Sequence, residues 1–382
     1  MNLVMFGEPS AWDGPWYSRH QLTAGLARRH RVFIVRDPGD WRCVVKNPRL
    51  LLRRARIEGG PSGVVQYAPP GWLPEIYRWN PLRRILTSLR CRSLVRTLRT
   101  ERAIPAVYYV WLPDHQEAVE GLVGSPLVYH CYDRYEHYTD VPQAVVRRQE
   151  SWLARRAAVC IAASVKIGEH LNRLGAREVI VLRHGVDHTR FRPDVPTHSA
   201  LRDIRKPRLG LVASLTDAVD VRTLLQVARQ KPDWSLVIVG GVYFTKPEKL
   251  STFEALCRLP NVYHAGLRPQ AEIPAWIDGF DVSLTCYDIT TWAPYNQPLK
   301  MYEYLACGVP VVSSDIEAAQ ELGDLVARAA EPDQWVPTIE RVLAQNGPAQ
   351  IERRVAFARA NSWEQRVAEL EGVLLRVVGA RR

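Results

Sequence analysis

The sequence predicts an α/β protein of two successive parallel-sheet domains. Three observations carry this. The chain has 382 residues, more than a single hydrophobic core usually serves. Short apolar runs alternate with amphipathic stretches, the pattern left by helices covering both faces of a sheet. The alternation lapses once, in a polar segment with prolines, and then begins again.

In the first half, "LVMF" (3–6), "RVFIV" (31–35), "AVYYVW" (106–111), "PLVYHCY" (126–132), "AVCIAA" (158–163) and "EVIVL" (178–182) are expected strands. Between the first two, "WYSRHQLTAGLARRH" is an expected helix. Its Leu22 and Leu26 lie one turn apart, and Gly25 beside them would allow close approach to the sheet. The segment "HGVDHTRFRPDVPTHS" (184–199) reads as an inter-domain linker. After it, "RLGLVAS" (208–214), "WSLVIVGG" (234–241), "NVYHAG" (261–266), "DVSLTCY" (281–287) and "VPVVSS" (309–314) are expected strands. A closing helix over 362–378 takes Ser362 as its cap. The expected architecture is therefore two Rossmann-like domains, 1–192 and 193–361, with a cleft between them and a helical segment 362–382 packing back on the first. In such sheets ligands sit at the carboxyl ends of the strands.

Composition narrows the class. With 47% hydrophobic and 24% charged residues the chain reads as an ordinary globular protein. No uncharged run approaches the ~18 apolar residues that span a bilayer, and "MNLVMFGEP" lacks the pattern of a secretory signal. Seven cysteines are scattered without CxxC or metal-like spacing, which points to a reducing cytoplasm. The net charge of +11 is local: residues 1–195 hold 30 Lys/Arg against 18 Asp/Glu, the remainder 21 against 22. Residues 42–102 alone hold 14 against 3. Such a concentration suits an anionic partner surface.

The stretch "YNQPLKMYEYLACGVPVVSS" (295–314) carries the chemistry. Read as a helix from Leu299 to near Gly308, at about 100° per residue, it sets Glu303 on one arc with Leu299, Tyr302 and Ala306. Lys300 falls in the first turn, where the helix dipole disfavours a cation unless an anion occupies the helix tip. A diphosphate held by Leu299, Lys300 and the "NQ" turn (Asn296, Gln297), with ribose hydroxyls on Glu303, accounts for both residues. The bland alternative is a locally satisfied structural acid and a snorkelling lysine.

"PLKMYEYLACGVPVVSSD" resembles the donor-site helix and following strand of GT-B glycosyltransferases. Further stretches resemble the same group in the same order: "GPWYSRHQLTAGLARRHRVFIV", "YHCYDRYEHY", "IAASVKIGEHL" with "VLRHGVDHTRFRP", and "NVYHAGLRPQAEIPAWIDGFDVSLTCY". The match covers nearly the whole chain except about 42–102. The resemblance implies the GT-B fold and sugar transfer from a nucleotide sugar, UDP being the commoner nucleotide. It also implies ribose binding by Glu303, diphosphate binding by Leu299 and Lys300, and a base-facing backbone at Gly266, Leu267 and Arg268. Two departures stand out. Tyr295 occupies a position where many retaining members carry Glu, and "SLTDAVDV" lacks their Arg and Lys.

On the acceptor side, "YHCYDRYEHYTD" brings His130, Asp133, Glu136 and His137 together after a strand. Asp133 is the candidate base for an inverting transfer; Asp13, in the loop with Trp16, is the second. Acids in such places also cap helices, and a retaining transfer needs no protein base. No DxD-like site is present, so no metal and no other cofactor is expected. A nucleotide-sugar epimerase of the same fold, or transfer to a soluble small molecule or nucleic acid, are the other readings. Neither an epimerase nor a nucleic-acid binder accounts for both the basic first domain and the donor motifs.

The uncovered stretch joins Trp72 and Trp79 to a helix bearing Arg83, Arg84, Arg90, Arg92, Arg96 and Arg99, with few acids nearby. Read as a basic amphipathic helix with interfacial aromatics, it predicts a peripheral enzyme on the anionic cytoplasmic leaflet. Its acceptor would be a lipid-linked glycan; nucleic acid is not the expected partner. A packing helix with solvated arginines is the bland alternative.

Overall fold

The computed structural model describes every residue except 8–11, 13–15, 77–81, 138–141, 291–294, 296 and 381–382. Contacts divide the chain into two compact units, Met1–Arg183 with Arg366–Arg382, and His184–Gln365.

The first unit runs β1 (Asn2–Phe6), α1 (Ser18–Ala27), β2 (Arg31–Val35), α2 (Trp41–Lys46), β3 (Arg56–Gly59), β4 (Val65–Ala68) and α3 (Leu82–Thr100). It continues with β5 (Val107–Val110), α4 (Gln116–Glu120), β6 (Leu127–Cys131), α5 (Gln143–Arg156), β7 (Val159–Ala162), α6 (Val165–Arg173) and β8 (Val179–Val181). Its strands form one sheet in the order β3-β4-β2-β1-β5-β6-β7-β8. Every pair is parallel except β3 with β4. The sequence predicts none of this edge. "RIEG" and "VQYA" are too polar to read as buried strands: β3 is the edge strand and β4 lies next to it.

The second unit runs β9 (Arg208–Val212), α7 (Val221–Gln230), β10 (Ser235–Val239), α8 (Pro247–Cys257), β11 (Val262–Gly266), α9 (Ile273–Asp278) and β12 (Val282–Thr285). Then come α10 (Leu299–Ala306), β13 (Val311–Ser314), α11 (Glu317–Glu321), β14 (Val326–Ala329), α12 (Trp335–Gln345) and α13 (Pro348–Arg359). A last helix, α14 (Trp363–Gly379), starts in this unit, where the Ser362 hydroxyl accepts from the Gln365 amide at 3.3 Å. All six strands are parallel in the order β11-β10-β9-β12-β13-β14. Along β10 the two faces alternate, as period-two side chains must. Leu236 and Ile238 join Leu209 and Leu211 in one core, while Val237 and Val239 join Met301 and Leu305 of α10 in the other. Both faces are therefore covered, as parallel sheets require.

The expected strands align with the observed ones to within a few residues, and the missed β14 is again an edge with the half-polar sequence "VARA". Gly25 does make a close approach, but not to the sheet. A methyl group there would lie 2.4 Å from Val367 of α14.

The order of the second sheet fixes where a ligand belongs. From β9 the chain moves to β10 and β11 on one side, and β12, β13 and β14 lie on the other. The switch point is between β9 and β12, at the carboxyl ends of the strands. Gly240 holds this end together at a φ of 152°, with its amide donating to the Gly266 carbonyl at 2.8 Å. A methyl group there would meet the Ala213 carbonyl oxygen at 1.7 Å. Gly240→Ala is therefore expected to lose stability by at least the ~1–3 kcal/mol of a strained backbone; an unchanged urea midpoint would show that the turn is not constrained.

Candidate functional site

The helix α10 is keyed to the switch point by hydrogen bonds from neighbouring strand ends. The Val212 amide at the end of β9 donates to the Tyr304 hydroxyl at 2.9 Å. Beyond β12, the Tyr287 amide donates to the Ser314 hydroxyl at 2.8 Å, which donates back to the Tyr287 carbonyl at 2.9 Å. The helix stops at Gly308, whose φ of 74° is left-handed. The amides of Gly308 and Val309 donate to the carbonyls of Leu305 (3.0 Å) and Tyr304 (3.1 Å) in a Schellman closure. Met301, Tyr302, Tyr304, Leu305 and Ala306 are buried, so more of the circumference is covered than the single arc the sequence predicts.

Glu303 is half-buried on this helix, and no described residue donates a hydrogen bond to its carboxylate. Burial pushes the carboxyl up to about 7, against the pull of Arg190 and Lys300. Lys300 lies one turn back, its ammonium 5.4 Å from the Tyr287 ring centroid. Among the described residues no acceptor takes the amide hydrogens of Leu299 or Lys300, and the buried Nε2 of Gln297 is likewise without a partner. Asn296 lies outside the described residues. Unspent donors, two cations and an undersolvated acid thus gather at one helix start, an arrangement suited to an anion and to vicinal hydroxyls.

Arg190 escapes the sequence reading. It comes from the expected linker, where Asp187 accepts from the Thr189 amide (3.1 Å), the Thr189 hydroxyl (2.6 Å) and the Arg190 amide (3.2 Å). That local turn carries the guanidinium to the neighbourhood of Glu303. The only hint in sequence is the "DHTR" spacing of an Asx turn.

Gly266 ends β11 and Leu267 and Arg268 follow it, at the same end of the sheet. Gly266 has a φ of 71° with open space beside it, Leu267 is 70% exposed, and the Arg268 guanidinium lies 5.7 Å from the Trp276 ring centroid.

In the first unit, His130 ends up inside the sheet. It is 1% exposed, its Nδ1 is 2.6 Å from the Tyr109 hydroxyl, and its ring stacks on Tyr132 beside Trp111. That burial corrects the expectation that His130 touches an acceptor. Glu136 is also occupied: Arg134 donates to it, and Arg147 Nη2 does so at 3.1 Å. Burial raises its carboxyl, but these arginines outweigh burial and hold it at about 2. His137 is half-buried, and burial together with Arg134 lowers its pKa. Asp133 is half-buried just past β6, its carbonyl accepting from the Cys131 thiol at 3.2 Å. Trp16 follows β1, donates to the Trp12 carbonyl at 3.1 Å and stacks on His20; Asp13 lies outside the described residues.

The arginines of α3 divide. Arg83 Nε binds Glu75 at 3.0 Å and its Nη1 binds Glu117, while Arg90 binds Glu75 at 2.8 Å. Both side chains are 12% exposed, so they do not face a membrane as expected. Their acids come from Glu75 and, far along the chain, Glu117. Arg84, Arg92, Arg96 and Arg99 are exposed, as is Trp72; Trp79 lies outside the described residues. Among the described residues, no three His, Cys, Asp or Glu side chains converge as a metal site, and no helix is long and apolar enough to cross a membrane.

Residues 206–345 match the family profile described as Glycosyl transferases group 1. The matched residues lie within the second unit, from just before β9 through α12. Over 261 residues the chain is 26% identical to TuaH of Bacillus subtilis (strain 168), a candidate teichuronic acid biosynthesis glycosyltransferase. That alignment covers 62% of this chain and 64% of TuaH, so the chain spans just under two thirds of that relative. Among solved structures, sucrose-phosphate synthase from Thermosynechococcus elongatus superposes with a TM-score of 0.71 at 15% identity, covering 99% of each chain. Alr3699/HepE of Anabaena, in complex with UDP and glucose, does so with a TM-score of 0.68 at 16% identity, covering 98% of this chain and all of its own. These structural likenesses establish the GT-B fold. Helix α10 and β12 both lie within the residues that match the family profile.

Two outcomes test the site. Lys300→Met is expected to weaken UDP severalfold more than uridine; equal weakening of both by calorimetry would remove Lys300 from the phosphate site. Hydroxyl donors favour the ionised Glu303, so uridine affinity is expected to rise as pH increases through about 7. Glu303→Gln should flatten that profile, and uridine carries no phosphate to confuse it.

Proposed function

We propose that the chain is a glycosyltransferase that moves a sugar from a nucleoside diphosphate sugar, UDP-linked by preference, to a hydroxyl of a lipid-linked or polysaccharide-precursor acceptor at the cytoplasmic membrane face. The observation that carries this reading is Glu303, an acid with cations near it and no hydrogen-bond donor among the described residues. Two vicinal ribose hydroxyls would supply the missing donors. Lys300, Arg190 and the amides of Leu299 and Lys300 would balance the diphosphate, with Arg268 nearer the base.

On this reading nucleoside diphosphate leaves the anomeric carbon with the bonding electron pair while the acceptor oxygen attacks. In an inverting transfer the proton of that hydroxyl needs a protein base. Asp133 suits the task better than Glu136, whose oxygens are already held by two arginines and whose carboxyl is far too acidic. The fixed cations take the charge that a metal would otherwise neutralise, so transfer is proposed to be metal-independent. TuaH is named for teichuronic acid biosynthesis and HepE is solved with UDP and glucose; these favour UDP and a polysaccharide-type acceptor.

A panel of UDP-, ADP- and GDP-sugars scored for thermal stabilisation and slow hydrolysis tests the donor assignment. UDP-sugars should lead, and chelator should change neither readout. Glu303→Ala should stay folded and lose about tenfold or more in nucleotide affinity, since a charge-assisted hydrogen bond contributes ~1.5–3 kcal/mol. A folded variant that binds UDP like wild type would overturn the reading. Asp133→Asn should lower kcat strongly and leave UDP affinity unchanged; near-normal turnover would remove Asp133 from the mechanism.

A further inference from the structure

Between β2 and β3 lies a segment that breaks the usual rule of burial. Helix α2 and the 3-10 turn Pro48–Leu52 contain Trp41, Cys43, Val44, Val45, Leu50, Leu51 and Leu52, yet neither element has a single buried residue. Leu52 is 82% exposed, Val45 68% and Leu51 44%. Trp72, 52% exposed, belongs to the adjoining segment. The Gly71 amide donates to the Arg53 carbonyl at 3.0 Å, the Trp41 amide to the Glu75 carbonyl at 3.0 Å, and the Glu75 amide to the Gly39 carbonyl at 2.9 Å. Asp40 caps α2 by accepting from the Arg42 amide at 2.7 Å. The two segments are thus fastened to each other, and their apolar side chains are presented outward on a hydrogen-bonded frame.

The same segment carries Arg42, Lys46, Arg49, Arg53 and Arg54, all exposed, and no acid from Trp41 to Ala55. Lys46, Arg49, Arg53 and Arg54 make no ion pair among the described residues, in contrast to Arg83 and Arg90 of α3. Exposed aliphatic groups ringed by unpaired cations need an occupant that is apolar in its interior and anionic at its surface. A nucleic acid would satisfy the cations and leave Val45, Leu51 and Leu52 in water.

We propose that residues 41–54, with Trp72, form a docking surface for an anionic lipid bilayer. Leu51, Leu52, Val45 and Trp72 enter the boundary between headgroups and acyl chains, and Lys46, Arg49, Arg53 and Arg54 meet the lipid phosphates. The purpose of docking rests on the membrane-borne acceptor proposed above; the surface itself does not. Trp41 also lines a cavity of about 430 Å³ with Phe6, Tyr67, Ile76, Arg83 and Arg90, at the carboxyl ends of β1 and β4. Docking through this segment therefore places that cavity beside the membrane surface.

Cys43 gives a native reporter, being exposed where Cys257 is half-buried and the other five cysteines are buried. Full-length Cys257→Ser protein, labelled at Cys43 with an environment-sensitive fluorophore, is mixed with vesicles of phosphatidylcholine alone or with phosphatidylglycerol. The expected result is a blue shift and co-sedimentation only with phosphatidylglycerol, both falling as salt rises. Each cation near an anionic surface contributes about fivefold. R49E/R53E/R54E should then lose more than a hundredfold in affinity, and L51S/L52S/W72S at least tenfold. No binding to phosphatidylglycerol vesicles at low salt would overturn the proposal. So would full binding by L51S/L52S/W72S, which would reduce the surface to a general polyanion site. Stabilisation by UDP is measured on each protein in parallel; if it persists while vesicle binding fails, the docking surface falls and the donor reading stands.

Discussion

Glu303 is half-buried, and among the described residues none donates a hydrogen bond to its carboxylate. Removing a carboxylate from solvent without hydrogen bonds is costly, and burial accordingly raises the Glu303 pKa. The surrounding structure is arranged to keep it there. Tyr304, the next residue, is tied to the end of β9, Gly308 ends the helix one turn on, and the Ser314–Tyr287 pair locks the neighbouring strand ends. A helix so fixed holds Glu303 half-buried. A ligand that brings its own donors relieves that cost.

Other acids of this chain show what satisfaction looks like. Glu150 is completely buried in the first unit, but it accepts from the Tyr129 hydroxyl at 2.9 Å and the Cys131 thiol at 3.3 Å, and pairs with His170 at 2.8 Å. Glu136 has two arginines. Each contributes to its own fold and has little capacity left for a ligand. The difference lies in the inventory of donors rather than in burial, since Glu303 is the most solvent-accessible of the three.

How much of this was legible in the sequence follows from range. The central strands announce themselves as apolar runs because neighbours cover them on both sides. β3 and β14 are edge strands and β4 lies against β3; their sequences are half-polar and lack the signal. Lys300 and Glu303 were legible because one helical turn relates them. Arg190 was not, since more than a hundred residues separate it from Glu303. The basic stretch 42–102 shows the same limit more sharply. Its composition marks a cationic surface, but composition cannot tell Arg83 and Arg90, turned inward by Glu75 and Glu117, from Arg49 and Arg54, turned out. Helical periodicity drew attention to α3, whereas the unburied aliphatic residues lie in α2 and a short turn, where periodicity is too brief to read.

The pKa of Glu303 also links the site to stability, with a sign opposite to that of most carboxylates. A group whose folded pKa stands above its ordinary value of 4.5 binds its proton more tightly in the native state than in the unfolded chain. Between 4.5 and about 7 the native state therefore holds the extra proton, and stability falls as pH rises through that window. Glu136 behaves in the usual way: its lowered pKa gives stability above 4.5 that is lost as pH falls toward about 2. Ligand hydroxyls that donate to Glu303 favour its ionised form and pull its pKa back down. Binding near neutral pH must then release part of a proton and restore stability that the empty site loses on ionisation. The same desolvated carboxylate that weakens the empty fold at neutral pH is what makes a hydroxyl-bearing ligand stabilise it.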